Sequence, residues 1–216
     1  SKGARAAFAD VGSASDSLAS KLGSIGQVAA IGVAGIATAA VGAGAALFKI
    51  GDSFDGAFDQ IRTGTGATGD ALKGLEEDFK SVVSSVPTDF DTAATAVADL
   101  NTRLGLTGQP LQEMSERFIN LARVSGVDLP TAIANGTRVF GNWSIATEDQ
   151  GAKLDYLFKV SQSTGIGVAG LMQKVVQFGA PLRQMGFAFE ESAALMGKWE
   201  QEGVNTELVL GSLRIA

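Results

Sequence analysis

Apolar side chains recur at intervals of three and four along most of this chain, and nearly every series stops at a glycine or a proline. An α-helix turns once in about 3.6 residues, so such spacing collects the apolar groups on one face and leaves the other for water. Leu47, Ile50, Phe54, Phe58 and Ile61 form the first stripe, with Asp52, Asp55 and Asp59 between them. It runs into the glycines at 64, 66 and 69. Leu72, Leu75, Phe79, Val82 and Val86 repeat the pattern up to Pro87, and Phe90, Ala94, Val97, Leu100 and Leu104 carry it to Gly105. Leu111, Met114, Phe118 and Leu121 precede Gly126; Leu154, Leu157 and Val160 precede Gly165; Val168, Leu171, Val175, Phe178 and Leu182 precede Gly186. The pair Thr147 and Gln150 has the spacing of a capping box at the start of the stripe through Leu154. No segment alternates with a period of two, and the best β-branched cluster, Val82, Val83 and Val86, lies inside a helical stripe. The fold class is all-α, and turns of two to six residues imply a bundle of neighbouring helices.

The joints share a grammar of their own. Gly105-Leu106, Gly126-Val127, Gly165-Ile166, Gly186-Phe187 and Gly203-Val204 each place an apolar residue directly after a glycine. A left-handed glycine ends a helix and the next apolar side chain folds back on it. Gly105 and Gly126 recur 60 positions later as Gly165 and Gly186; a duplicated helix pair and regular helix lengths both give that spacing, although the side chains between match poorly.

From Leu22 to Phe48 no side chain is charged, a run longer than the roughly 20 residues a helix needs to cross a bilayer. Ala, Gly and Thr outnumber Leu and Phe in it, so insertion of a lone helix is marginal. Gly35, Ala39 and Ala43 lie on one face, with Ala46 close by, where small side chains let backbones approach. This face is the candidate for helix packing or for a membrane, and the two readings stand side by side. The expected organisation is an Ala/Ser-rich lead-in over residues 1–21, then a long Ala/Gly-rich hydrophobic helix continuing into an amphipathic helix over 22–63, then a bundle of short amphipathic helices over 64–216. The chain starts without methionine and ends inside an apolar pattern, and reads as part of a longer polypeptide.

Cysteine and histidine are both absent, which removes disulfides, thiolate zinc sites and any Ser-His-Asp triad. The net charge of −6 and the scatter of the basic residues, with no basic patch, argue against specific nucleic acid recognition. Two short motifs suggest chemistry. Gly64-Thr65-Gly66-Ala67-Thr68-Gly69 satisfies GxGxxG, with Asp89 downstream, but a dinucleotide site needs a strand before the turn, and the residues before Gly64 have a helical period. Asp89-Phe90-Asp91-Thr92 resembles the paired aspartates of phosphatases, yet Ser84, Ser85 and Pro87 interrupt the strand this would need, and a helix cap at Thr88 or Asp89 is the commoner use. Glu76-Glu77-Asp78 and Glu190-Glu191 read as solvated faces or partners of a helix dipole. Trp143, Trp199, Met172, Met185 and Met196 read as core residues. No catalytic, cofactor or metal residue is assigned.

The order of elements resembles the conserved region of phage tail tape measure proteins. The uncharged run, then Gly-Asp-Ser-Phe-Asp-Gly-Ala-Phe (51–58), then Thr-Gly-Ala-Thr-Gly-Asp-Ala-Leu (65–72) carry the likeness. Leu-Ala-Arg-Val-Ser-Gly-Val-Asp-Leu (121–129), Phe-Gly-Ala-Pro-Leu-Arg-Gln-Met-Gly (178–186) and Gly-Val-Asn-Thr-Glu-Leu-Val-Leu-Gly-Ser-Leu-Arg (203–214) extend it. The resemblance implies a virion structural protein, not an enzyme, that lies in the tail lumen in several copies, a trimer or a hexamer. Tail tube and tail tip proteins and tail assembly chaperones would be its partners. It would set tail length during assembly and leave ahead of the genome, with the host membrane as a target on infection. The long helical repeats that measure the tail in this family are not in this sequence. A stand-alone helical pore-forming or membrane-perturbing effector is the alternative, sharing the uncharged run but acting outside any tail.

Overall fold

The computed structural model describes residues 43–205 and 208–209, with side chains from Ser53 onward. Those residues form eight helices: α1 (Ala43–Thr65), α2 (Gly69–Ser85), α3 (Phe90–Leu104), α4 (Gln109–Ser125), α5 (Leu129–Asn142), α6 (Thr147–Thr164), α7 (Val168–Gln184) and α8 (Phe189–Gln201). No strand occurs among the described residues. The bundle of short amphipathic helices is there as expected, and its stripes face inward. Ile61, Phe79, Leu100, Leu111, Phe118, Leu157, Leu171 and Leu182 are all fully buried.

Among the described residues the long hydrophobic helix does not appear. Residues 22–42 of the uncharged run lie outside the described residues, and from Ala43 onward α1 takes up Lys49, Asp52, Asp55 and Asp59. Its apolar groups therefore form a stripe and not an all-round greasy surface. Among the described residues no helix is long and apolar enough to cross a membrane. Gly35 and Ala39 lie outside the described residues, and Ala43 and Ala46 open α1.

The bundle is built in series. Every substantial contact joins a helix to the next one or the next but one: α1 with α3, α2 with α4, α3 with α5, α4 with α6, α5 with α7, α6 with α8. Each helix is too short to be stable alone and buries its stripe against these neighbours, the arrangement of a helical stack. Polar contacts repeat the same step. Gln60 of α1 donates to Thr95 of α3 (2.7 Å), Ser81 of α2 to Gln112 of α4 (2.8 Å), and Trp143 after α5 to the Val175 carbonyl of α7 (3.3 Å). Arg117 of α4 pairs with Asp155 of α6, and Lys153 of α6 with Glu190 of α8.

Joints of three or four residues make the stack possible. Gly105, Gly126, Gly165, Gly186 and Gly203 all have positive φ, as their position before an apolar residue predicts. At Gly186 and Gly203 the turn is closed twice: Phe187 N–H donates to Leu182 O (3.0 Å) and Val204 N–H to Trp199 O (2.8 Å), beside Gly186 N–H to Arg183 O and Gly203 N–H to Glu200 O. This is the Schellman pattern. Leu106, Val127 and Ile166 pack on the core, whereas Phe187 stays 38 % exposed. The 60-residue recurrence extends to side chains, since Asn101 donates to Leu106 O (2.9 Å) and Ser161 to Ile166 O (2.7 Å). An offset of 60 carries α3, α4 and α5 onto α6, α7 and α8. In a stack where each helix meets equivalent neighbours, regular unit length produces this repetition.

The apolar stripes of α5 and α8 are built partly from small residues. Their inner faces use Ala132, Gly136, Ala193 and Gly197 beside the larger Ile133, Phe140 and Met196. Small residues there admit neighbours closely. A Cβ on Gly136 would sit 2.5 Å from the Phe118 ring, and one on Gly197 would sit 2.8 Å from Val160. The expected capping box at Thr147 is also absent: Ala146 is the N-cap of α6, Thr147 is already helical, and Gln150 turns inward, 6 % exposed, to donate to Ile145 O.

Gly136→Ala should cost about 1 to 3 kcal/mol, because the Phe118 ring must move. Gly74→Ala, in open space on α2, should instead stabilise by about 0.5 to 1 kcal/mol. Urea unfolding of the two variants checks both signs.

Candidate functional site

The glycine motif is the joint between α1 and α2. A helix feeds it, so the strand required before a dinucleotide-binding turn is not there. Its order comes from local bonds: Thr65 donates to Ile61 O (2.7 Å) and accepts from Ala67 N–H (3.1 Å), and Thr102 of α3 donates to Gly64 O (3.2 Å). Gly64 lies close to Ala98, where an added Cβ would sit 3.2 Å from the Ala98 Cβ, so the joint is docked on α3.

The aspartate motif is a helix cap. Asp89 is the N-cap of α3 and accepts from Thr92 N–H (2.7 Å) and Thr92 Oγ1 (2.8 Å), leaving Asp91 in the first turn. Asp128 repeats this at α5 with Thr131 N–H (3.1 Å) and Thr131 Oγ1 (2.9 Å). Both carboxylates satisfy helix N–H groups that otherwise lack partners. Among the described residues no three acidic groups gather as a metal site would require.

Asp78 departs from its expected role on a solvated face. It is 3 % exposed and accepts from Gly108 N–H (2.8 Å) and from Gln112 Nε2 (2.6 Å). Gly108 is the N-cap of α4 and has no side chain to offer, so a carboxylate from α2 caps that helix across the stack. Nothing local in the sequence signals this, because donor and acceptor are 30 residues apart.

Trp143 meets α7 near its proline. Its indole lies on Gly179, where a Cβ would be 2.9 Å from Nε1, and Arg183 lies over the ring at 5.4 Å. Asn142 donates to Val176 O (3.3 Å), and Arg183 donates back to Asn142 O. Met172 and Met196 are core residues as expected, and Trp199 packs partly buried on the core, but Met185 is 42 % exposed, since it lies past the end of α7 beside Phe187.

Four phenylalanines bind α1 to the stack. Phe54 lies 4.3 Å from Phe90 and 5.8 Å from Phe79, and Phe58 lies 5.6 Å from Phe79. A shallow groove of about 450 Å³ runs between α6 and α8, lined by Tyr156, Lys159, Ser163, Thr164, Lys198 and Gln201 among others.

Contact between Lys153 and Glu190 displaces the titration of both groups. Its hydrogen bond raises Lys153 above its ordinary 10.5, against an opposing effect of burial, with the Glu190 and Asp149 charges adding to the rise. The same bond holds Glu190 below its ordinary 4.5.

These features define an all-helical stack whose polar groups cap helices and latch layers. The family model of phage-related minor tail proteins matches residues 80–215, from within α2 to beyond α8. The chain belongs to this family, and with it to the structural components of the phage tail. No curated protein and no solved structure matches the chain.

A depressed carboxylate stabilises the fold above its unfolded pKa and loses that contribution as pH falls through the folded value; a raised ammonium stabilises below its unfolded pKa and loses it as pH rises through the folded value. The stability gap between the wild type and Glu190→Gln should therefore be widest between about pH 4.5 and 10.5 and close on both sides. Thermal melts across pH measure it.

Proposed function

We propose that this chain is the globular helical part of a tape measure protein. It occupies the tail lumen in several copies while tube subunits polymerise around it, contributes to setting tail length, and leaves ahead of the genome. It works by filling space and presenting surfaces, without catalysis. Membership of the minor tail family over residues 80–215 carries this reading. Supporting it is the order of the strings: 51–58 lies in α1, 65–72 spans the first joint, 121–129 the α4 to α5 joint, and 178–186 the end of α7. Those strings coincide with the joints and anchors of the stack, the parts that a space-filling protein must keep. The ruler segment of such a protein lies outside this sequence. The measuring principle would be helix length, about 1.5 Å per residue.

Tail tube, tail tip and assembly chaperone proteins are the partners this reading assigns. The uncharged run from Leu22 supplies a segment for membrane entry once the protein is released.

Intact purified tails treated with protease should retain this chain, and tails opened at the tip should lose it. A chain cleaved as readily on intact tails, or missing from them, would contradict a position in the lumen. Liposome flotation of the 216-residue protein tests membrane entry separately: recovery with the vesicles is expected, and it should fall when Ala39 and Ala43 are replaced by lysine.

A further inference from the structure

We propose that the boundary between α5 and α6 is a hinge that divides the stack into two blocks, α1 to α5 and α6 to α8. Four independent features meet there. First, α5 and α6 are the only consecutive helices that share no substantial packing among the described residues, so the two blocks are joined chiefly by α4 on α6 and α5 on α7. Second, the joint turns through Ser144 at φ 49°, the only non-glycine residue with positive φ among the described residues, where every neighbouring helix end that needs this conformation uses glycine. A side chain in that region holds the turn under strain.

Third, buried polar atoms lack hydrogen-bond partners on the three helices around this boundary: Ser115 Oγ on α4, Asn135 Nδ2 on α5 and Gln150 Oε1 on α6. Such atoms weaken the closed state relative to an open one in which water reaches them. Fourth, the ion pair that crosses the boundary lies at the surface, Arg117 with Asp155, side chains 39 % and 62 % exposed, beside the part-buried cluster of Trp143, Asn142 and Arg183 on the end of α7. Within the N-terminal block the phenylalanine cluster ties α1 to α2 and α3, and the buried Asp78 ties α2 to α4.

Opening here separates α6 to α8 as a unit without unfolding either block, the behaviour of a local cooperative unit. It gives a serial stack one defined place to bend or part. This is a property of the chain itself and does not depend on where in the tail it resides.

Amide hydrogen exchange by mass spectrometry on the whole chain tests it. The expected result is that α6 to α8 exchange together through an opening that leaves α2 to α4 protected. Trp143→Ala should speed exchange in α6 to α8 about tenfold and leave α2 to α4 unchanged. The chain has no cysteine, so Arg117→Cys with Asp155→Cys can be bridged specifically by a bismaleimide, which should bring the two blocks to a common exchange rate. One global opening for all helices in the wild-type chain would overturn the hinge. So would a bridged variant whose C-terminal block still opens alone.

Discussion

The structure rests on a single constraint: helices of 13 to 23 residues, with one apolar face each, must bury that face against neighbours that arrive soon in the chain. Joints of three or four residues bring the next helix alongside, and the helix after that completes the cover. The core is consequently continuous but narrow, running through every helix without a centre to which all belong. Nothing in this plan needs contact between residues far apart in sequence. The side-chain hydrogen bonds that cross between helices obey the same rule, spanning 30 to 41 residues.

The large side chains made most of this plan legible in the sequence. Phe79, Leu100, Phe118, Leu157 and Leu182 were each placed on an inward stripe by spacing alone, and each is buried. The joint glycines announced both where helices end and in which conformation. The motifs that hinted at chemistry were settled by what precedes them, because a helix before Gly64 and before Pro87 leaves neither turn at the end of a strand.

What spacing could not reveal involves small residues and distant partners. On α5 and α8, Gly136 and Gly197 serve the core by being absent of bulk, so they leave a gap in the stripe at the very point of closest approach. Asp78 looked like any acid in a charged run, and its burial follows only from Gly108 arriving without a side chain. Thr147 had the right spacing for a capping box, but the chain enters α6 one residue earlier, at Ala146. Of the long helix expected to continue into an amphipathic one, residues 22–42 lie outside the described residues, and the described part from Ala43 is the start of the amphipathic helix. The face formed by Gly35 and Ala39 lies outside the described residues.

Serial stacking suits a tail component, since a body held by nearest-neighbour contacts can be built and taken apart from one end. Zero-length cross-linking of lysines to carboxylates, read by mass spectrometry on the purified chain, tests the central claim directly. Links between Lys153 and Glu190 and between Lys174 and Glu200 are expected, with all other links among the described helices confined to helices one or two apart. Abundant intramolecular links from Lys73 or Lys80 of α2 to the glutamates of α8 would contradict it.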